Sequence, residues 1–157
     1  MKAIEQEQRQ AIRNPDHPSV TMVRDLMRLK SIHIHTAWPL AMELFSWRQF
    51  QNGREIGALV GLEPVTHQSG ETSREKGLSK CGNARLRSLA VEFAWQWLIH
   101  QPDSELSLWY EERFGKGSSR VRKIGIVALA RKLLIALWRY LETGEIPKGA
   151  VLKAVSV

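Results

Sequence analysis

Two stretches of this chain repeat apolar side chains at helical spacing, and they dominate what it can fold into. In the first, Leu86, Leu89, Ala90, Phe93, Ala94 and Trp97 recur on one face, while Arg85, Ser88, Glu92 and Gln96 point elsewhere. Gly82-Asn83 opens it. The second runs from about Ser119 to Thr143, with Gly144 placed to stop it. Its expected core residues are Val121, Ile124, Val127, Ala128, Leu134, Leu137, Trp138 and Leu141. A mainly α, compact helical domain follows, with one extended segment and loop at about 65–81.

The rest of the chain divides into shorter pieces. Residues 2–13 read as a short polar helix lacking an apolar stripe. Asn14-Pro15-Asp16-His17-Pro18 is a break. Ser19 is the expected N-cap of a helix reaching about Leu29, with Val23, Leu26 and Met27 on one side. A turn follows near Ser31–His35, and a helix resumes over 36–45, where Pro39 fits only in a first turn. Asn52 is placed to cap a third helix that Gly61 ends. Residues 65–69 look extended, and Gly70 to Gly77 is polar and reads as a mobile loop. Pro102-Asp103-Ser104 stops one helix and caps a short one over Glu105–Arg113. Most of the six tryptophans fall on apolar helix faces, which favours core packing over base stacking.

At 157 residues the length fits one domain or one plus a small appendage. A chain this long buries about two thirds of its unfolded surface. Hydrophobic residues at 43% exclude a disordered chain. One cysteine, Cys81, excludes an internal disulfide framework. No apolar run approaches the ~20 residues needed to cross a bilayer, and the N-terminus lacks the apolar stretch of a signal peptide. A soluble, cytoplasmic setting is the default, with no membrane partner.

The net charge is +7, and its distribution matters more than its size. Residues 1–70 hold 8 basic and 7 acidic side chains, and residues 71–139 hold 13 and 7. Arg113, Lys116, Arg120, Arg122, Lys123, Arg131, Lys132 and Arg139 occur with no acid among them. Arg74, Lys76, Lys80, Arg85 and Arg87 face Glu75 alone. Two such clusters are the footprint of phosphate contacts, and equally the composition of a solvated basic face.

Catalytic spacing is scarce. His33 and His35 would not share a helix face, so they make no metal pair. A phosphate-binding G-x-x-x-x-G-K-[ST] loop is absent. Ser69 beside Gly70, followed by five cations, could bind or attack a phosphodiester. By itself Ser69 reads as an ordinary loop serine.

The run Gly61-Leu62-Glu63-Pro64, then Ser69-Gly70, then Leu78-Ser79-Lys80-Cys81-Gly82-Asn83-Ala84-Arg85-Leu86-Arg87 resembles the C-terminal domain of the IS-one-ten insertion-sequence transposases. Their pattern is roughly G-L-x-P, an S-G, then [IL]-S-K-x-G-N-x-x-[LV]-R. Ala128-Leu129-Ala130-Arg131-Lys132-Leu133-Leu134 resembles their A-x-x-R-K-L-L helix, and the Trp109-Tyr110 pair and the Gly-rich turn after Phe114 agree. The resemblance spans about Leu26 to Gly144.

It implies a DNA transposase in which a C-terminal serine attacks DNA and forms a phosphoseryl link. An N-terminal DEDD domain holds divalent metal, and a structured bridge RNA selects DNA. Ser69 then matches the nucleophile. Lys80, Asn83 and Arg87 match the motif that follows, in phosphate positioning, alongside Arg74, Lys76, Arg85, Lys116, Arg120, Arg122, Lys123, Arg131 and Lys132. No metal site is expected on this chain, and Mg2+ is expected on the DEDD domain, which this sequence lacks. The resemblance divides the chain into a polar helix remnant and linker (1–18), a degenerate helix-hairpin-helix-like region (19–64), a transposase C-terminal core (65–143) and a tail (144–157). DNA and a structured guide RNA are the expected partners, and a homo-oligomer is compatible. Three functional classes stay open: half of a serine-using transposase, an inactive DNA- or RNA-binding truncated remnant, or a structural protein that oligomerises through its apolar faces.

One departure concerns the hairpin. The family commonly shows I-P-G-I-G-x-x-T-A, and here the aligned stretch is Leu29-Lys30-Ser31-Ile32-His33-Ile34-His35-Thr36-Ala37. Ser31 and His33 stand where glycines usually do. If the turn keeps its shape, each replacement costs about 1–2 kcal/mol. Otherwise the turn relaxes and its phosphate contact weakens. His33 as a compensating cationic contact is a further alternative.

Overall fold

The computed structural model describes residues 2–13, 17–46, 49–62 and 83–154, and within them the chain is helical. Seven α-helices follow in order: α1 (Lys2–Arg13), α2 (Pro18–Met27), α3 (Ile34–Pro39), α4 (Gly53–Val60), α5 (Ala84–His100), α6 (Glu105–Tyr110) and α7 (Ser119–Thr143). Two π-helical turns extend them, Leu40–Phe45 after α3 and Glu111–Gly115 after α6. The expected extended segment and loop at 65–81 lie outside the described residues.

Most boundaries are set by capping. Asn52, Asn83, Ser104 and Ser118 each accept a hydrogen bond from a backbone N–H in the first turn of α4, α5, α6 and α7 respectively. Gly61 and Gly144 end α4 and α7 at φ of 77° and 79°, the left-handed region glycine enters without a steric penalty. Three expected boundaries are corrected. The N-cap of α2 is His17, not Ser19: its Nδ1 accepts from the Ser19 N–H at 3.2 Å. Pro18 takes the first helical position, where its missing N–H is no loss. The same helix stops at Met27, because Leu29 pairs instead with Leu152 in an isolated antiparallel bridge. The next helix starts at Ile34 rather than 36, which puts Pro39 past the first turn. A proline there removes an i→i−4 bond, and the chain passes directly into the π turn.

One core joins these elements. Val23, Leu26, Ile32, Leu40, Leu44, Ile56, Leu86, Phe93, Trp97, Leu133 and Leu137 are all within it. Helices α5 and α7 form its main layer, with α4 and α2 packed on α7. Gly125 lets Phe114 lie on α7: a Cβ there would meet the Phe114 ring at 2.3 Å. The face of α7 corrects the expectation. Leu134 and Leu137 are buried as expected, but Val121, Ile124 and Val127 are 38%, 58% and 38% exposed. Ile126, Leu129, Ala130, Leu133 and Tyr140 are buried in their place. Trp97 is buried, and Trp38, Trp95, Trp109 and Trp138 pack on the core's edge.

The C-terminal segment is more than a tail. Lys30 N–H donates to the Val151 carbonyl at 3.0 Å, and Lys153 N–H to the Arg28 carbonyl at 2.8 Å. Gln101, 1% exposed, donates from Nε2 to the carbonyls of Lys30 and Val151, and its Oε1 accepts from Val151 N–H, each at 2.8 Å. Between these bonds lies Ser31 at φ 91°, the one non-glycine residue with positive φ among the described residues. The turn therefore keeps a left-handed backbone at Ser31. At His33 it does not: that residue is extended, at φ −108° and ψ 171°, and N-caps α3. Ser31 also has its Oγ buried with no hydrogen-bond partner. Ser31→Gly should therefore stabilise the fold by about 1 kcal/mol or more, since it removes both the left-handed penalty and an unpaired hydroxyl. Thermal or urea unfolding of the two proteins measures this.

Candidate nucleic-acid interface

The candidate residues that are described fall into three groups. Ser69, Arg74, Lys76 and Lys80 lie outside the described residues. Asn83, Arg85 and Arg87 sit at the start of α5. The Asn83 side chain is committed to capping, accepting from Leu86 N–H at 3.1 Å. Arg85 donates from Nη1 to Glu43 Oε1 at 3.0 Å, an ion pair between α5 and the first π turn that no local sequence pattern signals. Both side chains are more than a third exposed or close to it, so the pair contributes on the order of 0.5 kcal/mol. Half-buried Arg87 lines a shallow groove of about 510 Å³ with Ser88, Val91, Glu92, Trp95 and Val127.

The second group surrounds the first turn of α7. Lys116, Arg120, Arg122 and Lys123 are all exposed. Among the described residues, no carboxylate forms an ion pair with any of them. The first turn of α7 contains no acid at all. The N-terminus of a helix carries about half a positive charge, so cations there are unfavourable by roughly 0.3–1 kcal/mol each. A fold selected for stability alone would place Asp or Glu at these positions. A polyanion would reverse the sign of the interaction.

The third group lies further along α7. Arg131, Lys132 and Arg139 line a cleft of about 440 Å³ with Glu105, Ile135, Glu145 and Lys148. Lys132 Nζ stands 4.8 Å from the centre of the Trp109 ring, and the Arg113 guanidinium stands 5.6 Å from it. The indole attracts each of these cations through its ring quadrupole. Arg131 crosses α4 at Gly57, and its Nε is buried without a hydrogen-bond partner. Eleven residues, about 16 Å of helix, separate Arg120 from Arg131, and this spacing returns them to nearly the same face. The structure thus joins the second and third groups along α7. Among the described residues, a groove that holds Arg87 and Val127 lies between the α5 group and α7.

Two further residues bear on the expectation. The His33 imidazole is held below its ordinary pKa of 6.5, first by desolvation and then by the charges of Lys153, His100 and His35. Both effects disfavour the cationic form that a phosphate contact would use. Among the described residues, no group of three His, Cys, Asp or Glu is placed to hold a metal.

The family model described as Transposase IS116/IS110/IS902 matches residues 23–108, from α2 through α6. The chain belongs to this transposase family. It is 46% identical over 129 residues to y4rJ of Sinorhizobium fredii, named as a transposase, covering 82% of this chain and 32% of that protein. It is 34% identical over 100 residues to the transposase for insertion sequence element IS1111A of Coxiella burnetii, covering 62% and 26%. It is 30% identical over 115 residues to the transposase for insertion sequence element IS1328 of Yersinia enterocolitica, covering 72% and 34%. The chain spans about a third of the length of these relatives. No solved structure matches it. The family match takes in Asn83, Arg85 and Arg87, together with the positions of Ser69 and Lys80, and stops before α7. Among the described residues no helix of this transposase-family chain is long and apolar enough to cross a membrane.

Because cations at the α7 N-terminus oppose the helix dipole, Arg120→Glu should raise the stability of the free chain by about 0.3–1 kcal/mol. A higher melting temperature at low salt, with the gain shrinking as salt is added, is the expected result.

Proposed function

We propose that this chain is the DNA-contacting C-terminal portion of a transposase, with Ser69 as the nucleophile. The observation that carries the binding part is the unpaired cation group at the α7 N-terminus. Lys116, Arg120, Arg122 and Lys123 load the positive end of a 25-residue helix whose first turn holds no acid, an arrangement that favours a phosphate backbone as counter-charge. Family membership supports DNA as that polyanion, and a structured guide RNA belongs to the same proposal.

The chemical part rests on the motif around Ser69. Its Oγ would bond to the phosphorus of a phosphodiester while one deoxyribose oxygen leaves. A serine hydroxyl is a weak nucleophile until a base or metal activates it, and the described residues offer no metal-holding group. In this reading the described residues position and bind, and strand exchange requires activating groups from outside them. Phosphoryl transfer depends mostly on positioning and charge neutralisation, which Lys80, Arg85 and Arg87 would supply. The turn between α2 and α3, with Ser31 in the left-handed region, is the segment this proposal equates with a helix-hairpin-helix contact.

Duplex DNA binding should weaken linearly in log–log coordinates as salt rises. An Arg120→Gln/Lys123→Gln variant should lower that slope by about 2, since each cation removed deletes roughly one phosphate contact. Undetectable or salt-independent binding would sink the proposal. In a preparation competent for strand transfer, Ser69→Ala should abolish the covalent protein–DNA adduct and leave binding nearly intact. Denaturing gels read the adduct, and its persistence in the variant would remove Ser69 from the role. Retained binding with no adduct in the unsubstituted protein would favour the inactive, nucleic-acid-binding remnant instead.

A further inference from the structure

The later half of α7 carries a stripe of its own. Arg131, Ile135 and Arg139 follow one another at four-residue steps and so share one side of the helix. At 1.5 Å per residue the stripe is about 12 Å long. It lines the cleft of about 440 Å³, whose other walls are the start of α6 and residues 145–148. Leu106, Ile146 and Pro147 give those walls an apolar surface, and Ile146 is 38% exposed. One end of the stripe is held in place. The stem of Arg131 is seated on α4, where a Cβ at Gly57 would meet its Nε at 2.8 Å.

The charges of the cleft do not cancel. Lys132 and Lys148 add to the two arginines, and Glu105 and Glu145 oppose them. Glu105 is already taken by Lys148, whose Nζ stands 3.6 Å from its Oε2. Among the described residues, no carboxylate pairs with Arg131, Lys132 or Arg139. A ligand of this cleft is therefore anionic. A phosphate backbone suits it poorly, because Glu105 and Glu145 would repel a continuous row of phosphates. No aromatic side chain lines the cleft to stack a base. The same two carboxylates can accept the N–H groups of a peptide backbone.

Shape narrows the ligand further. Spread along 12 Å of helix, the volume gives a section of about 37 Å². A helix 10–12 Å across needs roughly 80 Å², and an extended strand about 48 Å². An extended segment turns alternate side chains to one face, so residues i, i+2 and i+4 span about 13 Å. That span matches Arg131, Ile135 and Arg139. We propose that this cleft docks an extended segment of another polypeptide with the pattern acidic-x-apolar-x-acidic. Its carboxylates meet Arg131 and Arg139, and its apolar side chain lies on Ile135. A second copy of this chain is not the occupant. Its only acids four residues apart are Glu71 and Glu75, and Ser73 stands between them. Such docking is independent of any nucleic acid at the first turn of α7.

The test titrates three labelled pentapeptides with blocked ends against the full chain at low salt, read by fluorescence anisotropy. They are Glu-Ser-Leu-Ser-Glu, Gln-Ser-Leu-Ser-Gln and the shuffled Glu-Glu-Ser-Ser-Leu. The first should bind about tenfold tighter than either of the others, because only it places both charge-assisted contacts and the apolar one in register. Arg139 is exposed, so Arg139→Glu should keep its circular dichroism spectrum and bind the first peptide about tenfold more weakly. Either Glu-Ser-Leu-Ser-Lys or Lys-Ser-Leu-Ser-Glu should recover affinity on that variant, and which one does so reports the direction of the segment. If Arg139→Glu is unfolded, Arg139→Gln decides by the loss of affinity. Equal affinities for the three peptides, no binding at millimolar peptide, or binding unmoved by the substitution would each overturn docking here. A labelled duplex oligonucleotide is the second probe. If Arg139→Gln lowers its salt slope by about 0.9 and no peptide shows the register preference, the cleft is a phosphate contact and the peptide site is lost.

Discussion

The amide of Gln101 ties together three segments that lie far apart in the sequence. It is almost wholly buried, and it spends two N–H bonds and one carbonyl bond on the backbone at residues 30 and 151. Any of those groups left unpaired in the interior costs about 1–3 kcal/mol. The end of α5, the α2–α3 turn and the C-terminal segment therefore form one unit, completed by the Leu29–Leu152 bridge. Local preference at Ser31 runs against its left-handed backbone by a smaller amount. The surrounding bonds decide the outcome, and the turn keeps a shape that its own side chain disfavours.

The starts of α4 to α7 were legible because capping is local chemistry, whereas both ends of α2 and the start of α3 were not. Asn52, Asn83, Ser104, Gly61 and Gly144 each announce a boundary within a few residues, and each stands where expected. The buried face of α7 was not legible. Apolar residues surround that helix, so Val121, Ile124 and Val127 look as suited to a core as Ile126, Leu129 and Leu133 do. Only the positions of α5, α4 and Phe114 select between the faces, and those are tertiary facts. The same reason hid the role of residues 150–153, whose partners lie on distant parts of the chain. Among the candidate site residues, the exposed cations of α7 were found from charge alone. The Arg85–Glu43 pair was not, since 42 positions separate its members.

Family membership and structure inform different parts of the molecule. The match to the transposase family ends at residue 108, before the longest helix begins. Helix α7 supplies both the central packing layer against α5 and more of the described lysines and arginines than any other element. One element thus couples the interior to the charged exterior. The Trp109 ring, with Arg113 and Lys132 near it, is a point where aromatic packing and surface charge meet directly.

The crowding of positive charge at the start of α7 makes ionic strength act with opposite signs on two properties. Mobile counter-ions screen the repulsion among Lys116, Arg120, Arg122 and Lys123 and so relax the unliganded helix. The same ions compete for any phosphate that those side chains would hold. The free protein is thus most at ease where any such hold would be weakest, and at low ionic strength this helix end carries the most unrelieved repulsion.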